Sequence, residues 1–136
     1  MGQRVWAIAS DLRSLLLPPG IVLAVFGSYA AGRERPESDL DLWLDGPPDA
    51  VRLAASRVLQ NAERLRLPTP VDIVLAPPST ALRSALTWTV ATYGIPVVGR
   101  LPSPPAHLTA HTADQLWQIG IAELATSGAG TPIAPS

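Results

Sequence analysis

Three short apolar runs set the limits on what this chain can fold into. IVLAVF, from Ile21 to Phe26, is continuously apolar and follows the break Pro18-Pro19-Gly20. A run this short, bounded by turn residues, reads as a buried strand. DLDLWL, from Asp39 to Leu44, alternates strictly. Leu40, Leu42 and Leu44 therefore share one face, and Asp39, Asp41 and Trp43 the other. VDIVLA, from Val71 to Ala76, follows Pro68 and Pro70 as a third strand.

Helical spacing fills the intervals. Val5, Ile8, Leu12 and Leu16 mark an amphipathic N-terminal helix. Asp49 caps a second, whose buried stripe is Val51, Ala54 or Ala55, Val58, Ala62 and Leu65. Ser79 caps a helix carrying Leu82, Leu86 and Val90, with Gly94 as its left-handed C′ residue. Pro96 to Gly99 reads as a short edge strand. The segment from Tyr29 to Ser38 is a charged, Gly-bearing turn with room for one helical turn. These elements make an α/β unit over residues 1–100. Residues 101–136 hold the stiff linker Pro102, Pro104 and Pro105, then a helix opened by a Thr112/Gln115 capping box and running to about Thr126, then a frayed last ten residues.

Composition narrows the function. Ten basic residues, all Arg, stand against eleven acidic ones, for a net charge of −1. A protein that grips a long phosphate backbone normally carries a basic surplus, so extended nucleic acid is not the expected ligand. There is no cysteine, hence no disulfide framework or thiolate metal site. No run approaches the roughly 20 apolar residues of a spanning helix, and Asp11 and Arg13 break the first apolar stretch. A cytoplasmic protein without membrane attachment is the expectation.

Chemistry concentrates in two neighbouring features: Gly27-Ser28 directly after the first strand, and Asp39-Leu40-Asp41 opening the second, with ten residues between Ser28 and Asp39. Residues two apart on a strand lie about 6.6 Å apart and point the same way, so the two carboxylates converge. Their repulsion is relieved by a hard divalent cation, and Mg²⁺ prefers one or two carboxylates plus substrate phosphates. Asp72, early in the third strand, can join them if that strand is a neighbour. Three carboxylates can hold two metals about 4 Å apart, the clamp used in phosphoryl chemistry. Gly27 lets backbone approach a phosphate, and successive N–H groups with the Ser28 hydroxyl make an anion cradle.

In these residues, GSYAAGRERPESDLDLWL with Asp72 in PVDIVLA, the chain resembles the minimal nucleotidyltransferase family, a branch of the DNA polymerase β-like nucleotidyltransferases. The resemblance covers about residues 20–100. It implies a small mixed β-sheet flanked by helices, Mg²⁺ (two ions) and ATP as substrate. By position, Gly27 and Ser28 would contact the β- and γ-phosphates, and Asp39 and Asp41 would bind metal. Asp72 would ligate one metal and help the acceptor hydroxyl lose its proton. Members commonly carry Arg where this chain has Ala31; Arg33 and Arg35 are the candidates to supply that phosphate contact.

Many minimal members are antitoxins paired with a HEPN-type ribonuclease toxin, some silencing it by adenylylating a tyrosine. The resemblance thus implies a nucleotidyltransferase antitoxin. The alternatives are a small-molecule, aminoglycoside-type adenylyltransferase, for which the residues after Arg100 are few, and a catalytically weak antitoxin that acts by steric binding. His107 and His111 have metal-like i, i+4 spacing but no third ligand nearby, so they read as solvated. Trp43 reads as sheet-edge packing rather than a border to the base. The stripe Trp117, Ile121 and Leu124 either covers the domain's own core or docks on a partner, the toxin or a second copy of the chain.

Overall fold

The computed structural model describes residues 3–75 and 79–127. Helix α1 (Gln3–Arg13) precedes strand β1 (Val22–Phe26), the short helix α2 (Gly27–Ala31) and strand β2 (Leu40–Asp45). Then follow α3 (Pro48–Asn61), β3 (Val71–Val74), α4 (Thr80–Tyr93), β4 (Ile95–Val98) and α5 (Ala110–Ser127). The strands form one sheet in the order β3-β2-β1-β4. β1 is antiparallel to both β2 and β4, while β2 and β3 run parallel. This is the mixed sheet with flanking helices that the family resemblance implies.

Alternation on β1 and β2 splits the core in two. Leu23, Val25, Leu40, Leu42 and Leu44 face one side, where Val5, Ile8 and Leu12 of α1 and Val51, Ala54 and Val58 of α3 cover them. Ala24, Phe26 and Trp43 face the other side and belong to a cluster with Leu82, Leu86 and Val90 of α4 and Trp117 and Leu124 of α5. Trp43 is core: its strand β2 lies inside the sheet, so the residue packs under α4 and α5 and not at the sheet edge expected for it. IVLAVF has no polar face because both of its faces are roofed.

Several boundaries differ from the sequence reading for tertiary reasons. Helix α1 ends at Arg13, where the Ser14 and Leu15 N–H groups turn to the Asp11 and Leu12 carbonyls, and the Arg13 guanidinium reaches across to β4, donating to the Val97 carbonyl at 3.0 Å and the Pro96 carbonyl at 3.2 Å. Leu16, assigned to the buried stripe, is instead 83% exposed, and Leu15 and Leu17 pack on the core in its place. Asp49 is not a cap: it lies in the first turn of α3 and pairs with Arg52 on the surface at 3.0 Å. Ser79 does cap α4, accepting from the Leu82 N–H at 3.2 Å. Gly94 is not left-handed; its φ of −67° and ψ of 153° lead straight into β4. A Cβ there would press on the Val90 carbonyl, so Gly94 serves close packing and not a turn.

The opening of α5 also shifts. Thr109 and Thr112 cap each other, with the Thr109 N–H donating to Thr112 Oγ1 at 2.7 Å and the Thr112 N–H to Thr109 Oγ1 at 3.3 Å. Gln115 pairs with His111 at 3.2 Å instead. The stripe on α5 is covered at home: Trp117 and Leu124 are buried against α4. Gly120 is the contact point, since an added Cβ would lie 2.6 Å from Leu82 Cβ and 2.9 Å from the Leu82 nitrogen. A partner or second copy of the chain therefore does not dock through that stripe. The expected end of β3 at Ala76 and the expected frayed tail lie outside the described residues.

Candidate active site

The first turn of α2 starts two residues earlier than the turn segment suggested, at Gly27. Gly27 has φ of +73°, a conformation that costs a residue with a Cβ about 1–2 kcal/mol. The space for a Cβ is moreover taken by Asp41: the Asp41 Oδ2 atom overlaps that position, with Cγ 3.1 Å and Cβ 3.3 Å from it. Glycine is thus required twice, for backbone shape and for the approach of a carboxylate. Burial of Tyr29 and Ala30 holds α2 down, and the Arg4 guanidinium lies 5.5 Å from the Tyr29 ring centroid, within cation–π range. Sequence reading passed over this Arg4–Tyr29 clamp, because the two residues sit on different elements. Gly32 closes α2 in the left-handed region, and the Arg33 N–H donates to the Ser28 carbonyl at 2.9 Å.

Sheet register supplies the remainder. Phe26 pairs with Asp41 on β2, and Asp41 pairs with Asp72 on β3. Cross-strand partners share a face, so Asp41 and Asp72 stand side by side at the end of the sheet where β1 turns into α2. Asp39 lies one residue ahead of β2 and, two residues before Asp41, continues the same face. Asp41 is 1% exposed. Asp72 is half-buried, and its carboxyl is raised from the ordinary value of 3.8. Burial is the larger cause; a hydrogen bond shared with Asp39 and the like charge of Asp39 add to it.

The structure therefore makes neighbours of Gly27 and Asp41, of Asp41 and Asp72, and of Asp72 and Asp39, with Ser28 next to Gly27 at the start of α2. Ser28 Oγ is buried and without a hydrogen-bond partner. Arg33 and Arg35 are not drawn in: both are exposed on the loop between α2 and β2, where the Arg35 N–H donates to Ser38 Oγ at 2.8 Å. Glu34, between them, buries its Oε2 atom without a hydrogen-bond partner, a feature that its charged neighbours hide in the sequence. His107 and His111 are exposed, far in sequence from the carboxylates.

The fit to a hard cation rests on the donor set. Carboxylate oxygens are what Mg²⁺ takes, and here those of Asp41 and Asp72 stand on adjacent strands with Asp39 one residue ahead of β2. Among the described residues no three or more His, Asp or Glu side chains are grouped so that they could hold a metal ion as they stand. In the metal-free arrangement burial and the neighbouring Asp39 carboxylate raise the Asp72 carboxyl, as expected of like charges with no cation between them. Among the same residues, no helix is long and apolar enough to cross a membrane.

A family model for the nucleotidyltransferase domain matches residues 7–90. Among solved structures, a crystal structure of a toxin-antitoxin with AMP-PNP is 21% identical, with a TM-score of 0.45, covering 90% of this chain and 88% of that one. A crystal structure of a mutant of the toxin-antitoxin MntA-HpeT is 18% identical, also with a TM-score of 0.45, covering 95% and 91%. No curated protein matches the chain.

Proposed function

Because the chain belongs to the nucleotidyltransferase domain family, we propose that it transfers AMP from Mg·ATP to a hydroxyl of a partner protein, acting as the antitoxin to a HEPN-type ribonuclease toxin. The observation that carries this reading is the row Gly27–Asp41–Asp72, set by the register of three strands. The matched carboxylates offer the ligand set for magnesium, and Gly27 and Ser28 offer a cradle for phosphate oxygens beside it.

Asp39, Asp41 and Asp72 would hold the metal, which when bound neutralises charge developing on the phosphates. The chain's own residues do the positioning. Gly27 and Ser28 orient the triphosphate through backbone N–H groups and the Ser28 hydroxyl. Asp72, beside Asp41 on the neighbouring strand, accepts the acceptor proton. The hydroxyl oxygen then bonds to the α-phosphorus, the α–β phosphoanhydride bond breaks, and pyrophosphate leaves with the electron pair.

A second reading, steric binding without catalysis, is favoured by one observation: Ala31, standing where such members commonly carry Arg, is exposed, and neither Arg33 nor Arg35 turns inward. Incubating α-labelled ATP and Mg²⁺ with this chain, with and without the protein encoded beside it, separates the two. Label on the partner with release of pyrophosphate supports transfer. A tight complex that never carries label supports steric binding, and neither complex nor label overturns both.

A further inference from the structure

The two edges of the sheet are treated differently. β4 is closed off: Pro96 removes one N–H, and the Arg13 guanidinium occupies the Pro96 and Val97 carbonyls. Among the described residues β3 (Val71–Val74), the opposite edge, holds no proline and no side chain on its outward carbonyls. The Leu40 N–H donates to the Pro70 carbonyl at 2.9 Å, which fixes the phase of the parallel ladder. With that phase, the N–H and C=O of Asp72 point inward to β2, and those of Val71 and Ile73 point out. Among the described residues, no backbone or side-chain hydrogen bond reaches the outward groups of Val71 and Ile73.

An exposed edge is a template for another strand, and proteins normally blunt it. Here the open edge is the strand that carries Asp72. A segment added along β3 would place every second side chain on the face that Asp72 occupies, with the residue opposite Asp72 about 5 Å away between Cβ atoms. We propose that β3 receives an extended segment of the acceptor polypeptide as an added strand, so that backbone pairing to Val71 and Ile73 delivers the acceptor hydroxyl to Asp72. This rests on the transfer reading above and adds how the acceptor is chosen: by an extended backbone with a hydroxyl at the register of Asp72, not by a surface pocket.

Residue-resolved amide exchange on the full chain, alone and mixed with the protein encoded beside it in the presence of Mg²⁺ and a non-hydrolysable ATP analogue, tests it. Protection of the Val71 and Ile73 amides should rise about tenfold or more on mixing, while the Asp72 amide, already paired, changes little. Labelled ATP in a parallel mixture tells whether transfer occurs. Transfer with no gain at Val71 and Ile73 overturns strand addition and leaves the transfer reading standing. No transfer and no complex overturns the transfer reading and this inference with it. A variant adds a second line: Ile73→Pro removes an outward N–H at a position where an edge strand tolerates proline. With a melting curve that shows the fold intact, it should slow transfer at limiting acceptor by about tenfold, a loss expected from one removed backbone bond. Full-speed transfer by that folded variant would also overturn strand addition.

Discussion

The carboxylate of Asp41 lies against the Cα of Gly27, in the volume that a Cβ would fill in any other residue. Backbone and side chain are therefore fitted to each other at the point where β1 ends and α2 begins. Gly27→Ala should cost about 2 kcal/mol or more, from the positive φ together with the displaced carboxylate. In an Asp41→Ala background, the same substitution should cost only the backbone share. Urea denaturation of the four proteins of the cycle measures the coupling, and strict additivity would show that the contact does not constrain Gly27.

ATP should bind measurably with Mg²⁺ and far more weakly in chelator. Without a cation, Asp39, Asp41 and Asp72 present like charge to a triphosphate in a half-buried setting. Calorimetry decides this, and equal affinity under both conditions would remove the metal from the site.

Asp72 gives the apo protein a characteristic pH dependence. Its folded-state pKa is raised above 3.8 by burial and by Asp39, so the folded state holds the proton more tightly than the unfolded chain does. Stability from this group is present at pH below 3.8 and is lost as pH rises through the raised folded value. Melting temperatures in chelator should accordingly fall across that window in the wild type, relative to Asp72→Asn. Added Mg²⁺ should restore stability at the upper end in the wild type. Parallel melting profiles for the two proteins would count against the raised Asp72 carboxyl.

Asp39→Asn and Asp72→Asn should each abolish transfer while leaving the metal-free melting temperature at neutral pH unchanged or higher, because each removes one of two neighbouring negative charges. Unfolding of both variants would make the pair structural; full activity in both would remove them from the chemistry.

On the far side of the sheet, Gly120→Ala should destabilise the protein, although alanine is the better helix former by about 1 kcal/mol. The new methyl would meet Leu82 at 2.6 Å and force α5 off α4. Trp117→Ala should cost about 3 kcal/mol or more by emptying the same interface. Thermal melting checks both. A stable Trp117→Ala variant with weakened partner affinity would restore the docking role that its packing excludes.

What the sequence determined by itself is local. The alternation of DLDLWL assigned Asp39, Asp41 and Trp43 to one face, and the unbroken run IVLAVF required cover on both of its sides. Ser79 was legible as a cap, and Gly27-Ser28 as a turn ending a strand, because each depends on residues within one turn or one pleat. Tertiary structure decided the rest. Only the order β3-β2-β1-β4 brings Asp72 beside Asp41 and leaves β3 at the edge, and a strand's own pattern says nothing about which neighbour it takes. Leu16 is exposed because α1 ends at Arg13 and the chain beyond it turns Leu15 and Leu17 to the core instead, and Trp117 packs on α4 because Gly120 lets the helices close on Leu82. An apolar stripe is satisfied by any apolar surface that reaches it, so its partner is set by which segments the whole chain brings within contact, and not by the stripe.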